Sequence, residues 1–397
     1  MSIDLPTGSR PARVAFYNDP KVRSLAYQVA LCAVIVFLIY GAASNAITNL
    51  QRANIASGFG FWSTTAGFDI SQSLIEYSAQ TSTYGRAFWV GLLNTLLVAG
   101  LGIVFATVLG FLVGISRLSK NWLLAKAAGG FVETIRNLPL LLQLLFWYNA
   151  VLKSLPEMRD SYTIPGGIFL NNRGLFVPEP IFGSRFSLVV AAFVIGLIGA
   201  IAFYVWARKR QEQTGQQAPV FAVSLALVLG LPLLVLALAG FPLTFEFPQA
   251  GRFNISGGIE ILPEFAALLF GLSIYTAAFI AEVVRAGILA VSHGQTEAAY
   301  SVGLRTQPTL RLIVVPQAMR VIIPPLTSQY LNLTKNSSLA VAIGYPDLVQ
   351  VFTGTVLNQT GQAVEVVAIT MAVYLTISLA TSLLMNLYNS RIALVER

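Results

Sequence analysis

Long apolar runs recur along the chain with short polar segments between them. Each run is near the roughly 20 residues a helix needs to cross the hydrocarbon core of a bilayer. Eight are expected, near residues 25–44, 88–115, 131–152, 187–206, 220–241, 265–289, 321–343 and 364–387. The third and seventh are the least regular. Leu138 in the third precedes Pro139, which disfavours helical geometry and predicts a local break. The seventh carries Pro324, Pro325 and Lys335. Seven or nine spans remain open alternatives. The pattern predicts an all-α membrane protein.

The chain of 397 residues is 55% hydrophobic and 11% charged. About a quarter of the residues of an ordinary soluble domain are charged, so most of this surface is expected to meet lipid. The formal net charge is +8. In a soluble protein that excess would suggest nucleic acid, which is not expected as a partner here. The positive charges fall instead in alternate short loops: Arg10, Arg13, Lys21 and Arg23 before the first run, Arg117, Lys120 and Lys126 between the second and third, Arg208, Lys209 and Arg210 after the fourth, Arg305, Arg311 and Arg320 between the sixth and seventh, and Arg391 and Arg397 at the end. Basic loops stay cytoplasmic. An even number of spans with both termini cytoplasmic places all five groups on one side. The basic start and the long first run do not read as a cleavable signal peptide. One Cys and one His allow neither a disulfide nor a zinc cluster.

Residues 292–320, SHGQTEAAYSVGLRTQPTLRLIVVPQAMR, read as helix, break, helix. Ser292 or Thr296 can cap a short helix, and Glu297 in its first turn suits the helix dipole. Ala298 and Ala299 give it a narrow face. Gly303 tolerates the left-handed conformation that ends a helix. Thr306 is expected to cap the next helix, and Pro316 to kink or end the apolar stretch 310–315. An ordinary cytoplasmic hairpin packed on its own chain explains these residues equally well.

Charged groups at bilayer depth usually pair or line a cavity. Glu282 and Arg285 share a helical face, which suits a mutual ion pair. Lys335, with Asn336 and Ser337, is placed to face a carboxylate or to hold carbonyls of a broken helix. Tyr275 and Thr276 are candidates for a cavity wall or for packing. Arg136, beside the expected break, suits a gate or a headgroup contact. Gly100, Gly102, Gly110 and Gly114 favour close helix approach. None of the six lysines follows a glycine, so the phosphate-cradling loop of a P-loop ATPase is missing.

Glu297-Ala298-Ala299, followed by Gly303, Ile313 and Pro316, resembles the EAA loop of bacterial ABC-importer permeases. Asn94-Thr95-Leu96, GISRLS at 114–119, IRNLPLL at 135–141, YTAAFIAEVVRAG at 275–287 and LTKNSSLA at 333–340 resemble the polar amino-acid, HisMQ-like branch. Together they cover roughly residues 85–152 and 262–392. The resemblance implies a type I importer with a MetI-like five-helix core, closest to the Q-type permease of general L-amino-acid (Aap/Bzt) importers, with three extra helices. The implied segments are 1–24, a cytoplasmic start; 25–84, an extra helix and periplasmic loop; 85–152, the first part of the core; 153–261, a periplasmic loop and inserted helix pair; and 262–397, the rest of the core with the coupling loop. It implies that Glu297, Ala298, Ala299, Gly303 and Pro316 meet an ABC ATPase dimer that holds ATP and Mg, with no cofactor bound by this chain. It also implies a second, non-identical permease subunit, a periplasmic amino-acid-binding protein and a broad range of L-amino acids, in a bacterial inner membrane. An ion-coupled secondary transporter is the first alternative, and an assembly or translocase component the second.

Overall fold

The computed structural model describes residues 20–52, 58–251 and 254–392. Arg10, Arg13 and Arg397 of the charge argument lie outside them. The chain forms helix α1 (Pro20–Arg52), α2 (Tyr84–Ser116), α3 (Trp122–Asn137) and α4 (Leu140–Leu145), which continues as a π-helix, Phe146–Leu152. Strands β1 (Tyr162–Ile164), β2 (Ile168–Asn171), β3 (Gly174–Val177) and β4 (Glu179–Phe182) follow. Next come α5 (Phe186–Thr214), α6 (Val220–Leu225) and α7 (Leu231–Leu238). Four short strands return: β5 (Leu243–Glu246), β6 (Gln249–Ala250), β7 (Ile255–Ser256) and β8 (Ile259–Ile261). The last part holds α8 (Pro263–Leu289), α9 (His293–Ser301), α10 (Thr306–Thr309), α11 (Val315–Asn336), α12 (Leu357–Thr360) and α13 (Ala363–Ile392).

Among the described residues seven helices are long and apolar enough to span a bilayer: Val22–Ala42, Tyr84–Ser116, Phe186–Thr214, Val220–Leu238, Pro263–Leu289, Thr306–Ile343 and Ala363–Ser390. The run expected at 131–152 is the one that does not form a single helix. Leu138 is extended, with φ −98° and ψ 131°, as its place before Pro139 requires. The Gln143 carboxamide bridges this break, donating from Nε2 to the carbonyls of Ile135 at 2.9 Å and Leu138 at 3.0 Å. Pro316 does not end its helix. The ladder widens to π geometry over Leu310–Val314, just before it, and α11 runs on through Pro324 and Pro325.

Helix α2 is the mast of the core, and small residues let its neighbours close on it. A Cβ on Gly110 would lie 2.6 Å from the Ile280 Cβ, and one on Gly114 would lie 2.8 Å from the Ala281 carbonyl. Gly102 faces Leu333 of α11, whereas Gly100 meets nothing within 4 Å. The expectation of close approach therefore holds for three of the four glycines. Around this seam Val98, Leu144, Leu268, Leu272, Ile280, Leu326 and Leu333 form one buried cluster, contributed by α2, α4, α8 and α11. A second cluster joins Phe61, Phe88, Leu348 and Phe352 at the other end of α2.

Two polar groups bracket α8. Glu264 accepts from Tyr148 Oη at 2.7 Å and lies 3.9 Å from Lys153 Nζ. Glu282 binds arginines at the other end. At 1.5 Å per residue the two carboxylates are about 27 Å apart along the axis, close to the roughly 30 Å of a hydrocarbon core.

The segments on either side of the α5–α7 pair join each other. β3 pairs antiparallel with β8, with Leu175 opposite Ile261, and β4 with β5, with Phe182 opposite Leu243. The larger sheet has the order β1-β2-β3-β8.

Candidate coupling loop and arginine cluster

The loop after α8 folds as helix, break, helix. Ser292 caps α9 and its Oγ accepts from Gly294 N at 3.3 Å. Because Ser292 is the cap, Glu297 sits mid-helix, past the first turn where the dipole argument placed it. Gly303 has φ +79°, the left-handed value that only glycine adopts freely. The Leu304 amide then reaches back to the Ala299 carbonyl at 3.1 Å. Thr306 is not a cap: Arg305 takes that position, and Thr306 is the first residue of α10.

Ala299 is buried and holds α9 to its own chain, while Glu297 and Ala298 are exposed. Tyr300 and Val302 are exposed beside them, Val302 at 77%. Neither is among the residues expected to meet a partner. Large apolar groups on an otherwise polar loop are the signal that marks them. A hydrogen bond of 3.3 Å from Gln317 Nε2 to Gln295 Oε1 ties α9 to α11, so α9 is bonded to the helix that follows it as well as joined to α8 before it.

Two turns before α8 ends, Glu282 gathers three guanidinium groups. Arg285 Nη2 lies 2.5 Å from Oε1, Arg117 bonds Oε2, and Arg136 Nη1 lies 3.8 Å from Oε2. The Arg136 guanidinium also covers the Phe279 ring at 5.1 Å. The expected Glu282–Arg285 pair is present, and Arg136 joins it. Arg117 was missed as a partner, because it is 165 residues away in sequence and reaches Glu282 only through the α2–α8 seam. This carboxylate therefore ties the ends of α2, α3 and α8 at one level. Removing one side of such a cluster leaves uncompensated charge, which costs more than the cluster gains in stability.

The other candidates lie elsewhere. Lys335 is exposed at the end of α11, where it makes no ion pair among the described residues, and Asn336 is half-buried. Ser337 is fully buried and its Oγ donates to the Thr334 carbonyl at 2.7 Å. Leu333 packs on Gly102 whereas Ala281 packs on Gly114. Twelve residues of α2 thus separate the Lys335 level from the Glu282 level, about 18 Å. Thr276 is 3% exposed, inside the core, and Tyr275 is half-buried against Phe279 with ring centroids 4.9 Å apart.

A polar node beyond the end of the Thr306–Ile343 span was also missed. Asn94 Nδ2 donates to the carbonyls of Gln72 and Pro346, at 2.8 and 2.9 Å. Thr95 Oγ1 accepts from Leu348 N at 3.0 Å. Asp347 is fully buried, and burial pushes its carboxyl up to about 7, against bonds from the Gln350 amide and the Tyr374 hydroxyl that pull it down. Its place just before a helical segment reads from sequence as an ordinary cap.

A multispanning helical core, an exposed helical loop after α8 and a carboxylate held by three arginines beside it form the frame of a membrane transport permease. The chain belongs to the amino-acid ABC permease family, the inner-membrane components of binding-protein-dependent transport systems. The family described as "Binding-protein-dependent transport system inner membrane component" matches residues 213–394. The general L-amino acid transport system permease protein AapQ of Rhizobium johnstonii is 54% identical, over 97% of this chain and 96% of that one. The glutamate/glutamine/aspartate/asparagine transport system permease protein BztB of Rhodobacter capsulatus is 41% identical over 96% of each. The shorter L-cystine transport system permease protein TcyB of Bacillus subtilis is 35% identical over only 39% of this chain and 61% of its own length. Membership in this family overturns the ion-coupled alternative. Glu282, the carboxylate such a carrier would use, is held by arginines.

Proposed function

We propose that the chain is the channel-forming subunit that carries L-amino acids of several side-chain classes inward by alternating access, driven by a separate ATPase. In this reading both termini and the α9–α10 loop are cytoplasmic. Glu297, Ala298, Tyr300 and Val302 enter a cleft on the ATPase, while Gly303 sets the turn and Pro316 anchors the following helix. ATP and Mg reside on that partner. A second, non-identical permease completes the cavity, and a periplasmic amino-acid-binding protein delivers the substrate. Lys335 and Asn336 are the groups best placed to meet a substrate carboxylate near the outer end of α11.

The observation that carries this reading is the exposed face of α9, joined through only a few residues to the helix that bears Glu282. Closure of the ATPase dimer would shift α9, then α8, and then α2 and α3 through the arginines. Only a difference in ATP affinity between the two states can drive that shift. The test is Glu297→Lys in the complete complex. Uptake is expected to fall at least about tenfold, the effect of about 1.4 kcal/mol, and the ATPase to be lost on purification, with the permease still in the membrane. Normal uptake with normal co-purification would sink the coupling role. Lys335→Ala separately tests the substrate contact: the apparent KM should rise for every amino acid, and unchanged transport removes Lys335 from the cavity.

A further inference from the structure

Two apolar hollows lie against one stripe of α8. The first, of 440 Å³, is roofed by the β2–β3 hairpin through Leu170 and Leu175 and walled by Leu155 and Phe265. The second, of 330 Å³, runs between α8 and α2, past Ser273 and Ile274 on one side and Phe105, Val108 and Leu112 on the other. They meet at Leu269 and Phe270, which line both. From Pro263 to Ile274 the path follows eleven residues of α8, about 16 Å. Half a hydrocarbon core is about 15 Å. The path begins at the level of Glu264, where Tyr148 and Lys153 gather, and it ends near mid-bilayer.

The walls offer a ligand almost nothing polar. Asn171, at the roof, is buried, with Nδ2 on Ser161 Oγ at 3.0 Å and Oδ1 on the Arg173 amide at 2.8 Å. The Ser273 hydroxyl, on the wall of the second hollow, is buried and has no hydrogen-bond partner among the described residues. A zwitterionic amino acid would lose the hydration of two charges here and gain at most the one Ser273 hydroxyl. A helix does not fit either. The β2–β3 roof closes one end, so a helix cannot run along the path. A flexible alkyl chain meets both limits.

We infer that this path is a binding site for one acyl chain of a phospholipid in the leaflet on the β-sheet side. The ester end lies under β2 and β3, and the chain end lies between α2 and α8. The bound chain would fasten the sheet, which is built largely from the segment before α5, to the first turns of α8.

The test uses the whole transporter, with its partner subunits, in nanodiscs containing phosphatidylethanolamine that carries a diazirine either near the ester or at the chain end. The near-ester probe is expected to label residues 168–177, and the chain-end probe residues 105–112. Ala266→Trp, which fills the roofed hollow, should cut the first signal at least fivefold, while Leu234→Trp on the exposed face of α7 leaves it unchanged. Should Ala266→Trp fail to assemble, the positions labelled in the unaltered transporter decide the question alone. Labelling spread evenly over α1, α5 and α2 overturns the site. So does cross-linking of a cysteine at Leu170 to the second permease, which would make a protein the occupant.

Discussion

The seam of α2 and α8 and the hairpin of α5 with α6 and α7 are all apolar enough to span a bilayer, yet they differ in what they bury, α8 deeply and α6–α7 hardly at all. In the seam Ala277, Ile280, Ala281 and Val284 are fully buried beside glycines that leave no room for a methyl group. On the hairpin Ile195, Ile198, Leu233 and Leu234 are all more than half exposed. Apolar content therefore tells which segments enter the membrane. The placement of small residues tells which faces close together, since in lipid helices associate by close packing and not by hydrophobicity: Gly110 and Gly114 set α2 on α8, whereas Gly196, where a Cβ would lie 2.1 Å from the Leu227 carbonyl, sets α5 on its own partner in the hairpin.

The sharpest way to break this contrast is Gly110→Leu. The side chain has nowhere to go but into Ile280, and overpacking of this kind costs about 1–3 kcal/mol or more. Loss of assembled complex and a lower Tm in detergent are expected. Gly199→Leu on the hairpin, where a Cβ would meet only Leu227 at an ordinary 3.6 Å, should change neither. Next in size is Arg117→Leu, which removes the link from α2 to Glu282. Uptake should fall by about tenfold, or about 1.4 kcal/mol, with ATP hydrolysis persisting; equal losses of both activities would point to misfolding instead.

A smaller effect separates the two regions by pH. The Asp347 carboxyl is raised in the folded state, so folding favours its neutral form. Stability should fall as pH rises from about 4, and should flatten above the folded value of about 7. Between pH 6 and 8 the loss is about 1.4 kcal/mol. Asp347→Asn should flatten that slope in thermal melts. The smallest effect belongs to the hairpin's Arg208–Glu212 pair, both exposed and 3.2 Å apart. Arg208→Leu should shift stability by less than about 0.5 kcal/mol; a larger shift would mean the hairpin end is covered in the complex.

Much of this fold was readable without coordinates because its signals are local. Apolar length located the spans, Pro139 located the break, and Gly303 located the turn between α9 and α10. What stayed hidden depends on contacts across sequence. Arg117 finds Glu282, Asn94 finds Pro346, and β3 finds β8, each across more than 80 residues. The strands are two to four residues long, too short to announce themselves. Helix capping misled once: Ser292, one of the two candidates named, caps α9, but Arg305 and not Thr306 holds the cap position of α10, and only the chain's path decides between neighbouring candidates.

The paired strands at the foot of the hairpin have one more consequence. With β3 bonded to β8 and β4 to β5, the chain leaves and re-enters the core at adjoining points. Everything between them is a cassette held by a zipper. A short turn joining Gly174–Val177 directly to Ile259–Ile261 would close the same antiparallel pair, and the remaining chain would become a shorter transporter whose missing piece could be grafted back, exchanged or used to carry a fluorescent domain.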